Sequence, residues 1–149
     1  MSSEAVRVVE RIQESLLTQE DVVATLNDPE AGRRIRRVLI ELAQPDFEVA
    51  MVGPNYLGQA IERSGADGFR EAWVDWTSPF SSYQIDLEEM IDAGDRVVSL
   101  VAMSGKTKTG GVEIEAHAAA VWTVVDGRLR RVEFHLDRES ALRSAGLAD

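Results

Sequence analysis

Apolar residues recur at helical spacing through the first third of the chain and alternate with polar ones through the second half, so the pattern divides it into helices followed by strands. Ala5, Val8, Val9, Ile12 and Leu16 fall on one face of a helix over about residues 3–17. Thr18 followed by Asp21 resembles a capping arrangement for a short second helix carrying Val22, Val23 and Leu26. Asp28-Pro29 is a helix start, with Asp28 as N-cap and Pro29 in the first turn; Ile35, Val38, Leu39 and Leu42 make one face before Gln44-Pro45 ends the helix.

Asp46 to Val52 alternates weakly as a strand, and Gly53-Pro54-Asn55 punctuates it. After a looser stretch, Asp67 is expected to cap a helix with Phe69, Trp73 and Trp76 on one side, stopped by Ser78-Pro79. Tyr83, Ile85 and Leu87 alternate with Gln84, Asp86 and Glu88 as a half-buried strand. Gly94-Asp95 turns into a strand over 96–104, the loop 105–111 leads to a long strand from Val112 to about Val124, and Asp126-Gly127 turns into Leu129–Leu136. Asp137 caps a final helix containing Ala141 and Leu142, with Gly146 as its left-handed stop and Leu147 folding back. The order predicts an α+β fold with helices on one sheet face.

The turn at Asp126-Gly127 fixes which side chains face inward. A two-residue loop would set Trp122 opposite Arg131 and Ala118 opposite His135. A three-residue loop, with Gly127 left-handed at a bulge, sets Trp122 opposite Arg130, Ala120 opposite Val132 and Ala118 opposite Phe134. A one-residue slip exchanges the faces, and the hydrophobic pattern selects the second register. It gathers Ala116, Ala118, Ala120, Trp122, Val124, Val132, Phe134 and Leu136 inside and leaves Glu113, Glu115, His117, Ala119, Arg131, Glu133 and His135 outside, with His117 opposite His135. Three alanines in a column remove volume opposite Phe134. Either a cavity remains there or the tryptophans fill it.

The 149 residues suffice for one domain with a sizeable core, with 44% hydrophobic and 28% charged residues. A net charge of -10 argues against nucleic acid, and the basic run Arg33, Arg34, Arg36 and Arg37 reads as a solvated helix face. The absence of cysteine excludes disulfides and thiolate chemistry. Without a signal peptide or an apolar run of membrane-spanning length, the expected location is cytoplasmic, with no membrane partner. Gly105-Lys106-Thr107 lacks the upstream glycine of a phosphate-binding loop and leads into a strand, which excludes that motif.

The stretch Val97–Leu147 resembles the SnoaL-like (polyketide cyclase-like) branch of the nuclear transport factor 2-like superfamily. The residues that carry the likeness are Gly94-Asp95-Arg96-Val97-Val98, the run Val121–Leu129 around Asp126-Gly127, and Phe134-His135-Leu136-Asp137 leading into Ala141-Leu142 and Ala145-Gly146-Leu147. The resemblance implies a single SnoaL-like domain over residues 1–149. It further implies a cone-shaped (cystatin-like) fold, with N-terminal helices packed on a strongly curved, mostly antiparallel sheet around a pocket, and a homodimer through the outer sheet face. The family includes polyketide cyclases, isomerases, epoxide hydrolases and dehydratases. The inward polar positions of the epoxide hydrolases fall here near Phe134, Val101, Met103, Val49 and Met51, which are apolar.

The expected ligand-binding set is therefore Tyr83, Met51, Trp73, Trp76, Val101, Met103, Ala118, Ala120, Trp122 and Phe134, around a small hydrophobic molecule, with no cofactor. Catalytic candidates are Tyr83, Glu89, Glu133 and His135. A pocket-facing carboxylate or histidine among them would instead imply an isomerase, polyketide cyclase or hydratase. His117 and His135 with Glu115 and Glu133 have the chemistry of a zinc set, but a dimer contact or solvated face explains the same polarity, and no metal is expected.

Overall fold

A computed structural model describes the backbone of residues 4–16, 21–52 and 61–147. The elements run α1 (Glu4–Leu16), α2 (Val22–Leu26), α3 (Pro29–Leu42), β1 (Ala43–Val52), β2 (Ile61–Ser64), α4 (Gly65–Thr77), β3 (Phe80–Ala93), β4 (Arg96–Thr107), β5 (Glu113–Val125), β6 (Arg128–His135) and α5 (Arg138–Ser144). Thr18 and Gly53-Pro54-Asn55 lie outside the described residues. No helix among the described residues is long and apolar enough to cross a membrane.

The helix starts are local chemistry. Asp28 accepts from the Glu30 amide at the head of α3, as its sequence implies. At α2 the N-cap is Asp21, whose Oδ1 accepts from the amides of Val23 and Ala24 while Oδ2 accepts from the amide of Tyr83 in β3. Asp67 does not cap α4. Ser64 occupies the N-cap, and Asp67 is the third residue inside, where it pairs with Arg36 of α3. The helix formed by α5 ends as expected: Gly146 is left-handed (φ 76) and the Leu147 amide donates 2.8 Å to the Leu142 carbonyl.

The strongly curved, cone-shaped (cystatin-like) sheet is not what forms. Six strands lie in one open row, β2-β1-β6-β5-β4-β3, and the sheet is neither closed nor strongly curved. It is mixed: β1 runs parallel to β6, and the other neighbouring pairs are antiparallel. The edge strands β2 and β3 sit at opposite ends and share no ladder, so nothing draws the sheet round into a cone. The helices also occupy both faces. Val98, Ala119, Val121 and Ala141 form a second buried cluster beneath α5, while α1 and α4 belong to the main core with Phe47, Trp122 and Leu129.

The register of the last hairpin matches neither expected pairing. The turn has two residues, Asp126 (φ 54) and Gly127 (φ 76), both left-handed, with Val125 opposite Arg128. Arg130 is then an extra residue on β6, because Thr123 faces Arg131 while Val124 faces Leu129. Trp122 consequently stands opposite Val132, Ala120 opposite Phe134, and Ala119 opposite His135. His117 pairs with Ala102 of β4 and not with His135. The bulge offsets the shorter turn by one residue, so the alanines, Trp122, Val132 and Phe134 still share a face.

Candidate functional site

Between the helices and the inner sheet face lies a cavity of about 440 Å³. Strand alternation builds its floor: Ser99 and Val101 of β4 pair with Ala120 and Ala118 of β5, and all four line it together with Met103. Trp122 and Phe134 extend that surface, and Tyr83 and Ile85 contribute from β3. The alanine side chains stop at Cβ, leaving space that α4 does not fill even though its Trp73 and Trp76 form a wall.

The aromatic rings pack edge to face. Trp73 meets Phe134 at a centroid distance of 4.9 Å and an interplanar angle of 67°, and Trp122 meets Phe134 at 5.8 Å and 84°. Such contacts give the wall a fixed shape. Met51 is not part of it; it pairs with Ile61 and Phe134 in the sheet and is buried in the core. Leu87, expected on the same face as Tyr83, is 43% exposed. A register shift between Leu87 and Glu89 breaks the alternation there, and Glu89 is exposed.

The buried polar groups of the wall are few. Trp76 Nε1 donates to the Tyr83 hydroxyl at 3.0 Å, and Trp122 Nε1 donates to Ser99 Oγ at 2.9 Å. Gln13 Oε1 and Trp73 Nε1 are enclosed without a hydrogen-bond partner. Ser99 and Gln13 were not anticipated. Ser99 was legible in principle, since it shares the inward parity of Val101 and Met103 in an otherwise apolar strand.

His135 borders the cavity, but its ring nitrogens and the Glu133 carboxylate make their hydrogen bonds on the α5 side. His135 is 4% exposed, and its ring lies under α5, with Nδ1 3.0 Å from Ser140 Oγ and Nε2 2.9 Å from Glu133 Oε1. The hydrogen bond from His135 holds the Glu133 carboxyl at about 2, assisted by hydrogen bonds from Ser144 and Arg131 and opposed by burial. An ionised carboxylate only accepts, so Nε2 carries the proton toward Glu133, and Nδ1 shares the second hydrogen bond with the Ser140 hydroxyl. The Arg131 guanidinium is raised in turn, chiefly by its hydrogen bond to Glu133. His117 lies apart, 4.0 Å from Glu88, and among the described residues no cluster of three His, Asp or Glu could hold a metal ion.

The cavity opens at the helices. Every exposed residue of its wall comes from the α2–α3 corner, α3 or the start of α4: Asn27, Asp28, Pro29, Arg33, Arg36, Asp67 and Arg70. Arg36 is paired with Asp67 across the opening, and Arg70 donates 3.0 Å to the Leu26 carbonyl.

Among solved structures, a nuclear transport factor 2-like protein from Burkholderia thailandensis shares 18% identity at a TM-score of 0.67, covering 99% of this chain and 98% of that one. A putative SnoaL-like polyketide cyclase from Jannaschia shares 18% identity at a TM-score of 0.63, covering 98% and 93%. TerC, co-crystallised with polyporic acid, shares 18% at a TM-score of 0.64, covering 97% and 99%. At these identities the likeness is one of fold. No curated protein matches the chain. The SnoaL-like domain family matches residues 18–132, which is most of the chain. With that match and the agreement in fold, the chain belongs to the SnoaL-like domain family.

Proposed function

We propose that this chain, a single SnoaL-like domain over residues 1–149, binds a small hydrophobic molecule in the cavity. The observation that carries this reading is a space of about 440 Å³ walled by three tryptophans, Phe134 and a floor of alanines. That volume is typical of small-molecule sites, which are mostly apolar with a few placed polar groups. In this reading Tyr83, Trp73, Trp76, Val101, Met103, Ala118, Ala120, Trp122 and Phe134 contact the ligand, while Met51 supports the wall from behind. The co-crystallisation of TerC with polyporic acid supports a small organic ligand in this fold.

The alternative, an isomerase, polyketide cyclase or hydratase, needs an acid or base against the ligand. Glu89 is exposed, and the side chains of Glu133 and His135 are engaged beneath α5. Among the described residues, the carboxylates of the cavity wall are Asp28 and Asp67 at the opening. His135 and Tyr83 also line it, but both ring nitrogens of His135 are engaged by Ser140 and Glu133 and the Tyr83 hydroxyl accepts from Trp76, so the binding reading is preferred. The reading retains a homodimer through the outer sheet face, where α5 leaves Glu113, Glu115 and His117 exposed. A monomeric mass by sedimentation at micromolar concentration would remove it.

Tryptophan emission titrated with neutral flat aromatics tests the binding itself. Saturable quenching or shift is expected, because all three tryptophans line the cavity. No saturable optical or calorimetric response across a panel sized to the cavity would overturn it.

A further inference from the structure

The opening differs in charge from the rest of the protein. The chain carries a net -10, yet three arginines from two helices, Arg33, Arg36 and Arg70, converge on the mouth of an apolar cavity. Its two carboxylates are already committed. Asp28 caps α3 by accepting from the Glu30 amide, and Asp67 is paired with Arg36. Arg70 is held by a neutral carbonyl, so its charge is not offset by that contact. Arg33 forms no ion pair among the described residues. The Glu30 amide does not offset the charge of Asp28 either, so the mouth keeps one net positive charge, with Arg33 and Arg70 as two guanidinium groups outside any ion pair where a bound molecule would meet solvent. A guanidinium presents a planar fork of donors suited to a carboxylate or similar anion.

We propose that the cavity takes an amphipathic acid, with its apolar body against the tryptophans and alanines and its anionic group at the mouth, met by Arg33 and Arg70. This rests on the cavity being a binding site and adds the polarity and orientation of what enters it. The anionic group keeps part of its hydration at the rim, so it avoids the large cost of burying a charge. The contribution is that of exposed ion pairs, modest and sensitive to salt.

The test compares naphthoate, its neutral isostere naphthamide and naphthylmethylammonium by tryptophan fluorescence and calorimetry. It uses the full-length protein and the Arg33→Gln, Arg70→Gln double variant. Both positions are exposed, so folding is expected to survive, and a thermal melt confirms it. At low salt naphthoate should bind about tenfold tighter than naphthamide, and naphthylmethylammonium weakest, the range expected for two exposed pairs. High salt and the double variant should each collapse that order by weakening naphthoate more than naphthamide. If naphthamide binds but naphthoate shows no advantage, or if the advantage persists in the double variant, the acidic-ligand inference falls and the apolar pocket stands. If none of the three binds, both fall.

Discussion

His135 Nε2 lies 2.9 Å from Glu133 Oε1, on the face of the sheet that α5 covers. The same carboxylate accepts from Ser144 at 2.6 Å and from Arg131 at 2.9 Å, so one side chain fastens the last helix to β6. Its folded-state value of about 2 lies below the ordinary 4.5, so its stabilising effect is complete above the ordinary value and fades as pH falls toward 2. The melting temperature of the natural protein should fall steeply through that window. Glu133→Gln should start lower at neutral pH and fall less. Parallel melting curves of the two proteins against pH would remove this role for Glu133.

Ser99→Ala should destabilise the protein by about 1–3 kcal/mol, the cost of leaving a buried donor, Trp122 Nε1, without its acceptor. Urea unfolding measures it. Trp122→Phe in the Ser99→Ala background should recover part of the loss, since both polar partners are then gone.

Ala118→Leu places a larger side chain in space that the natural protein leaves open. Binding of any cavity probe should weaken by at least about tenfold, the loss of roughly 1.4 kcal/mol, while the melting temperature holds or rises. A large fall in stability would mean that the floor is too closely packed to be a ligand surface.

Gly105→Ala should cost about 1–3 kcal/mol through overpacking. A Cβ at that position would stand 2.7 Å from two ring carbons of Phe80, which is fully buried and has little room to move. Thermal or urea denaturation would show it, and a neutral substitution would mean that the ring shifts freely.

The parts of this structure legible in the sequence are those that local chemistry decides. The buried face of α1, Asp28 and Pro29 at the head of α3, the tryptophans of α4 and the Gly146 stop all follow from spacing and backbone preference. β2 was not legible, because Ile61-Glu62-Arg63-Ser64 contains one apolar residue and no alternation. The last hairpin is more instructive. Its turn is shorter than the expected three-residue loop, but the extra Arg130 restores the parity, so the inward alanines follow from a pattern whose stated cause was wrong. The open form of the sheet depends on which strands become neighbours, above all on β1 joining β6 in parallel, and no local signal encodes that. His135 shows the same limit: alternation sends it outward, but only the return of α5 buries it and supplies its partners.

An open sheet has two margins, and unpaired backbone along a margin invites another chain to add itself. Here one margin is only four residues long and carries Glu62 and Arg63. The other is β3, where Asp21 occupies the Tyr83 amide while its second oxygen holds the start of α2. A single carboxylate thus blocks a docking point for foreign strands and anchors the helix that does the shielding. Loss of Asp21 would expose the protein to aggregation by edge-on growth even where its folded stability is barely changed.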